Sequence, residues 1–267
     1  MWEYDFMQNA FIAGTIIAFI CGIISYFVIV RRIAFAAHAL GHISLTGAAG
    51  AAIIGLSPMS GLLTLNIISA IIMGLIGDRI RKSDMAVGIV LTFFLGIGAY
   101  FLYLYQTGYA GSIMAIMFGD ILSVSSRQIF IIVILTSIVL ISLLIIMRPL
   151  LFSSIDPTIA SSKRIPSEAL SIYFLILLAI TVSMACQIVG ALLIFALLVG
   201  PGAAASECCD GFYSSLSVSI GVSILSVWLS LLISFYANLP TSFCITMLIS
   251  FFYIISLFIK RLRMRHV

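Results

Sequence analysis

Residues 33–77 and 211–259 contain no Asp, Glu, Lys or Arg. Uncharged, mostly apolar runs of that length belong in a lipid bilayer. A hydrocarbon core about 30 Å thick takes roughly 20 apolar residues per helix, so each run holds two spans. The breaks fall at turn residues, Ser57-Pro58 and Ser60-Gly61 in the first run and Asn238-Leu239-Pro240 in the second. Residues 9–30, 85 to about Tyr105, and 128–147 give one span each. Residues 169–206 hold two short or tilted spans with a tight turn near Gln187 to Gly190. The expected fold is an all-α polytopic transmembrane helical bundle of eight to nine spans, nine favoured, in one domain over residues 1–267.

Composition agrees. Hydrophobic residues make up 63% of the chain and charged residues 8%, against about 25% charged in a soluble domain. Too few charges remain to cover a water-exposed surface. This excludes a cytosolic enzyme, a nucleic-acid-binding domain and a disordered tail. The five cysteines are too scattered for a disulfide framework. In the nine-span reading every Lys and Arg except Arg127 falls on one side: Arg31, Arg32, Arg79, Arg81, Lys82, Arg148, Lys163, Arg164 and the tail from Lys260 to Arg265. The positive-inside rule makes that side cytoplasmic. The N-terminus, with Glu3 and Asp5, then lies outside and the C-terminus lies in the cytoplasm. Eight spans would send the basic tail outward. The acidic leading region and the long first apolar run do not fit a cleaved signal. Residues 108–126, with Asp120 and several glycines, read as an external half-helix or re-entrant piece packed on protein.

The second span carries the most informative polar residues, His38 and His42. Four apart on a helix, they share one face with Cβ atoms about 5–6 Å apart. Two imidazoles so placed can bind one divalent transition metal. They can equally hydrogen-bond to neighbouring helices. His42 stands roughly 14 Å into its span at 1.5 Å per residue. Ionisable groups at such depth face the protein interior or a water-filled path. The third histidine, His266, lies in the basic tail and reads as solvated. A third ligand has several candidates: water, Asp120, Cys186, Met184, or the same pair from a second copy. An incomplete set suits transport, because conduction requires release as well as binding.

Other features have plainer readings. Gly47, Ala51 and Gly55 repeat every four positions and permit close helix approach. The serines of the eighth span, from Ser215 to Ser230, hydrogen-bond within or between helices; a polar conduction path is the second reading. Gly200-Pro201-Gly202 ends the seventh span or forms a hinge. Glu207-Cys208-Cys209-Asp210 is a short polar loop, or a point of metal capture near the cytoplasm. Between Pro157 and Pro166, Asp156 can cap a short helix begun at Pro157. No Walker A, HExxH or GxSxG pattern occurs, so the chain is not expected to be an enzyme and cannot hydrolyse ATP.

The chain resembles the membrane permease subunits of bacterial ABC importers for zinc, manganese or iron ions, including the Znu-type zinc permeases. The likeness runs along nearly the whole length. It is carried by Asn9-Ala10-Phe11, Val30-Arg31-Arg32-Ile33-Ala34-Phe35, His38-Ala39-Leu40 with His42, Asp84-Met85-Ala86-Val87-Gly88, Phe118-Gly119-Asp120-Ile121-Leu122, Asp156-Pro157, Gln187-Ile188-Val189-Gly190, Ala196-Leu197-Leu198 and Leu239-Pro240-Thr241. Each motif is short; their order and spacing together are specific. The resemblance implies a permease in the bacterial cytoplasmic membrane, working as a dimer. It implies a separate cytoplasmic ATPase and an extracytoplasmic metal-binding protein. It places His38 and His42 on the metal path, with His38 where the family usually has Asp. Imidazole in place of a hard carboxylate tilts the cargo from manganese toward zinc. The metal is cargo, and no cofactor is implied. The segment containing Asp156, Pro157, Thr158, Ala160, Lys163 and Arg164 resembles the helix that couples to the ATPase. The family's usual glycine before its second proline is missing here. Two other readings remain: an iron-chelate or cobalamin-type ABC permease, and a stand-alone secondary metal transporter.

Overall fold

The computed structural model describes residues 4–80, 83–104, 117–155, 163, 166–191 and 193–264. Among these, nine α-helices follow one another: α1 Asp5–Val30, α2 Ala34–Ile53, α3 Pro58–Ile80, α4 Ser83–Leu104, α5 Ser126–Ile155, α6 Ser167–Val189, α7 Ile194–Cys208, α8 Phe212–Ala237 and α9 Thr241–Met264. The bundle is all-α and polytopic. Seven helices are long and apolar enough to cross a membrane, fewer than the eight to nine expected. The two that fall short are α2 and α7. The first carries two histidines, Ser44, Thr46 and several glycines, which lower its hydropathy. The second has only 15 residues, about 22 Å at 1.5 Å per residue.

The breaks have local causes. Helix α1 ends in a Schellman turn: Arg32 takes the left-handed conformation (φ 58°) and the Ile33 N–H donates to the Val28 carbonyl at 3.1 Å. Left-handed backbone is uncommon outside glycine, so this corner is strongly determined. Helix α2 stops at Gly55 (φ 75°) and Pro58 opens α3; Asn238 (φ 53°) stops α8 ahead of Pro240. Gly190 (φ 95°) divides residues 169–206 at the expected place.

The helices form two groups. One contains α1, α7, α8 and α9; the other contains α2, α3, α4 and α6; α5 lies across α1 and α6. Helices α1 and α6 are the most buried spans, whereas α5 exposes Ile134, Ile138, Ile141 and Ile145. Small residues set the crossings. The Gly47 and Gly61 backbones meet so closely that a Cβ on either would strike the other's carbonyl. Gly55, expected in the same packing row, instead ends the helix and has nothing beside it. Gly200-Pro201-Gly202 does not end α7, which continues to Cys208. Gly202 instead lets α1 approach, and its N–H donates to Ser25 Oγ at 2.7 Å.

The expected external half-helix, residues 108–126, is described only in part. Its part from 108 to 116 lies outside the described residues, and the remainder holds a 3₁₀ turn, Ile121–Ser123, capped by Asp120. Gly119 (φ 73°) of this segment packs backbone to backbone on Gly190.

Candidate metal site

Helix α2 is covered on most of its circumference. Ala36, Ala37, Ala39, Leu40, Ile43, Ser44, Thr46, Ala48 and Ala49 are buried against α3, α4 and α6. The partly uncovered positions Phe35, His38, His42 and Leu45 form one stripe at helical spacing. Both histidines therefore stand on a long face of α2 that the described residues leave partly open.

Their rings are 4.6 Å apart between centroids and inclined at 80°. A tetrahedral cation held at about 2.0–2.1 Å by each ring needs nitrogens roughly 3.3 Å apart, within reach of such a pair. Neither imidazole has a hydrogen-bond partner among the described residues. His38 meets Phe195 of α7 edge to face at 5.0 Å. That contact lies where the two helix groups touch. Gly41, between the histidines in sequence, makes room for it: a Cβ there would lie 3.1 Å from the Ala191 carbonyl, just ahead of α7.

The rotation of α2 is fixed from behind. Asn66 of α3, fully buried, donates to Ser44 Oγ at 2.7 Å and to Ser183 Oγ of α6 at 2.9 Å. Each serine hydroxyl in turn donates to a carbonyl, Ser44 to Leu40 and Ser183 to Ala179, both at 2.8 Å. Thr46 donates to the Phe94 carbonyl of α4 at 3.0 Å. Buried hydrogen bonds of this kind specify one register more than they add stability. Sequence reading missed Asn66 and Phe195. Asn66 had a signal, being the sole carboxamide in residues 33–77; Phe195 had none.

Asp120 Oδ1 accepts from the Leu122 N–H at 3.2 Å, Cys186 is fully buried, and Met184 Sδ lies 3.8 Å from Thr136 Oγ1. No group of three or more His, Cys, Asp or Glu is placed to hold a metal ion among the described residues. At Glu207 to Asp210 the carboxylates pair with the basic end of α9: Lys260 with Glu207 at 2.7 Å and Arg263 with Asp210 at 3.3 Å. That arrangement favours the polar-loop reading over metal capture. The serines of α8 are satisfied inside the bundle, Ser219 by the Gly22 carbonyl at 2.6 Å and Ser223 by that of Ala18 at 2.7 Å. Of the coupling residues, Asp156, Pro157, Thr158, Ala160 and Arg164 lie outside the described residues, as does His266. Lys163 Nζ lies 5.3 Å from the centre of the Phe152 ring.

A model of the ABC 3 transport family matches residues 3–260. The chain belongs to the ABC 3 transport family. It is a membrane permease subunit of the bacterial ABC importers of manganese, iron or zinc ions, a multi-pass protein of the inner membrane. ATP hydrolysis resides in a separate subunit. The permease is similar to the manganese import system permease protein ScaB of Streptococcus parasanguinis, 29% identical over 258 residues, 96% of this chain and 91% of that one. It is also similar to a probable iron transport system membrane protein of Haemophilus influenzae, 28% identical over 264 residues, 98% and 97% of the two chains. Among solved structures, PsaBC from Streptococcus pneumoniae in complex with Fab superposes with a TM-score of 0.84 at 28% identity, covering 96% of this chain and 92% of that one.

Proposed function

We propose that this permease conducts zinc between two copies of itself, with His38 and His42 of each copy touching the ion. The observation that carries the reading is the open stripe of α2. An ionisable side chain facing hydrocarbon is costly, and such groups turn to a protein interior or a water-filled path. Here the pair has no hydrogen-bond partner among the described residues, and a facing second copy supplies both the cover and the missing ligands. Four imidazoles drawn from two copies make a set that assembles and comes apart as the copies rock. Zinc follows from the nitrogen donors; manganese is the second reading, favoured by the cargo of the ScaB relative.

In this reading all nine helices cross the membrane within a single domain, α2 and α7 sheltered by the others. The N-terminus lies outside and the C-terminus in the cytoplasm. The partner ATPase docks on residues 156–164, and an extracytoplasmic metal-binding protein delivers the ion. ATP-driven closure of the ATPases alternates access to the histidines. The test is uptake of radioactive zinc and manganese by cells carrying the whole system. A His38→Ala/His42→Ala variant at normal membrane level loses zinc uptake by more than about 100-fold, beyond the usual effect of disturbing a ligand's support. Undiminished uptake removes the histidines from the path, and manganese uptake that outcompetes zinc reverses the cargo.

A further inference from the structure

Arg31 closes α1, half-buried where the chain turns into α2. Its guanidinium reaches two other helices at once. Nη1 donates to Ser153 Oγ and Ser154 Oγ on the last turns of α5, both at 3.2 Å. Nη2 donates to Ser171 Oγ near the start of α6 at 2.5 Å. The guanidinium carbon also stands 5.9 Å from the centre of the Phe174 ring of α6. Burial lowers its pKa from the ordinary value, but an arginine at that extreme stays charged in any physiological medium.

The two helices so gripped are those that enter and leave residues 156–165. The gripping residue stands directly ahead of the left-handed Arg32 and the fixed Schellman turn, with His38 seven positions further on. A push on either stem therefore reaches the start of the histidine-bearing helix through one planar group. Arginine suits this task because its donors are fixed in a fork, whereas lysine offers one point charge on a flexible stem.

We propose that Arg31 is the positioning residue that transmits movement of the ATPase-docking stems to α2. The inference rests on the reading of residues 156–164 as the docking segment. Hydrogen-bond networks with two discrete arrangements carry coupling between distant sites without contact to either ligand.

The test uses the complete importer in proteoliposomes and reads metal transported per ATP hydrolysed. Arg31→Met keeps the apolar stem beside Phe174 and removes every donor. The expected result is a fall in that ratio of about tenfold, the ordinary scale of coupling between sites, with the ATPase still bound and hydrolysing. Arg31→Lys recovers part of the ratio. Ser171→Ala, and separately Ser153→Ala/Ser154→Ala, leave the arginine in place and lower the ratio less; they carry the test if Arg31→Met does not accumulate. A purely structural role would lower yield or thermal stability and leave the ratio unchanged, and that result overturns the inference. Replacing residues 156–164 by a Gly-Ser run of equal length separates the two claims. If the ATPase stays bound and coupled, the docking reading is wrong. If the ATPase is released but the Arg31 and serine variants keep a normal ratio, only the role of Arg31 fails.

Discussion

Helices α2 and α8 both bring polar side chains into an apolar bundle, and they treat them in opposite ways. On α8, Ser219 and Ser223 donate to carbonyls of α1, while Ser226 and Ser230 donate to carbonyls of their own helix. All four serines are fully buried. On α2 the buried Ser44 and Thr46 are satisfied in the same manner, but His38 and His42 stand part-exposed without a hydrogen bond among the described residues. A polar group inside a membrane bundle is structural when its own chain completes its bonds. One left open at a place lipid does not reward is waiting for something outside the chain. The difference lies in cover and partners, not in how polar the residues are.

The sharpest way to break the comparison is to ask what covers each stripe. In a background with Cys21, Cys186, Cys208, Cys209 and Cys244 replaced, His42→Cys joins two copies into a covalent dimer on treatment with a short bifunctional thiol reagent. Ser223→Cys, buried against α1, yields none. A monomeric His42→Cys band in intact membranes places the stripe against something other than a second copy. A smaller effect reads the chemistry of the stripe. His38→Asp restores the hard oxygen ligand that the family pattern has at this position, and it shifts the ratio of zinc to manganese uptake toward manganese by about tenfold, the scale of one changed ligand preference. An unchanged ratio means that selectivity is set elsewhere.

Helix boundaries were legible because their causes are local. Pro58 opens α3 and Pro240 stands just ahead of α9, both at positions where a missing backbone N–H costs little, and the left-handed Gly55 and Asn238 stop the preceding helices. The histidine spacing was legible for the same reason. Gly200-Pro201-Gly202 misled because its meaning is tertiary. Pro201 is accommodated inside α7, and Gly202 serves the crossing with α1 through Ser25. Helix α7 was legible as one of two short or tilted spans, whereas the histidine-bearing α2 read as an ordinary span, because a run of apolar residues does not state its own cover. The partners of the site were least legible. The serines held by Arg31 are 122 to 140 residues away in sequence, and nothing in a local pattern pairs them.

The smallest expected effect tests the other half of the comparison. Ser219→Ala and Ser223→Ala each remove one hydroxyl from the α1–α8 seam, where the freed carbonyls of Gly22 and Ala18 keep their own helical N–H donors. Such bonds inside membrane bundles average about 0.6 kcal/mol by double-mutant cycles, so each variant should lower the unfolding free energy in detergent by about that amount. Zinc uptake should stay within about threefold of the parent, since a change of about 0.6 kcal/mol moves an equilibrium by a factor of about three at most. A loss of uptake at normal protein level would turn the reading around. The hydroxyls of α8 would then line the ion's route, and a satisfied hydrogen bond would no longer mark a polar group as structural.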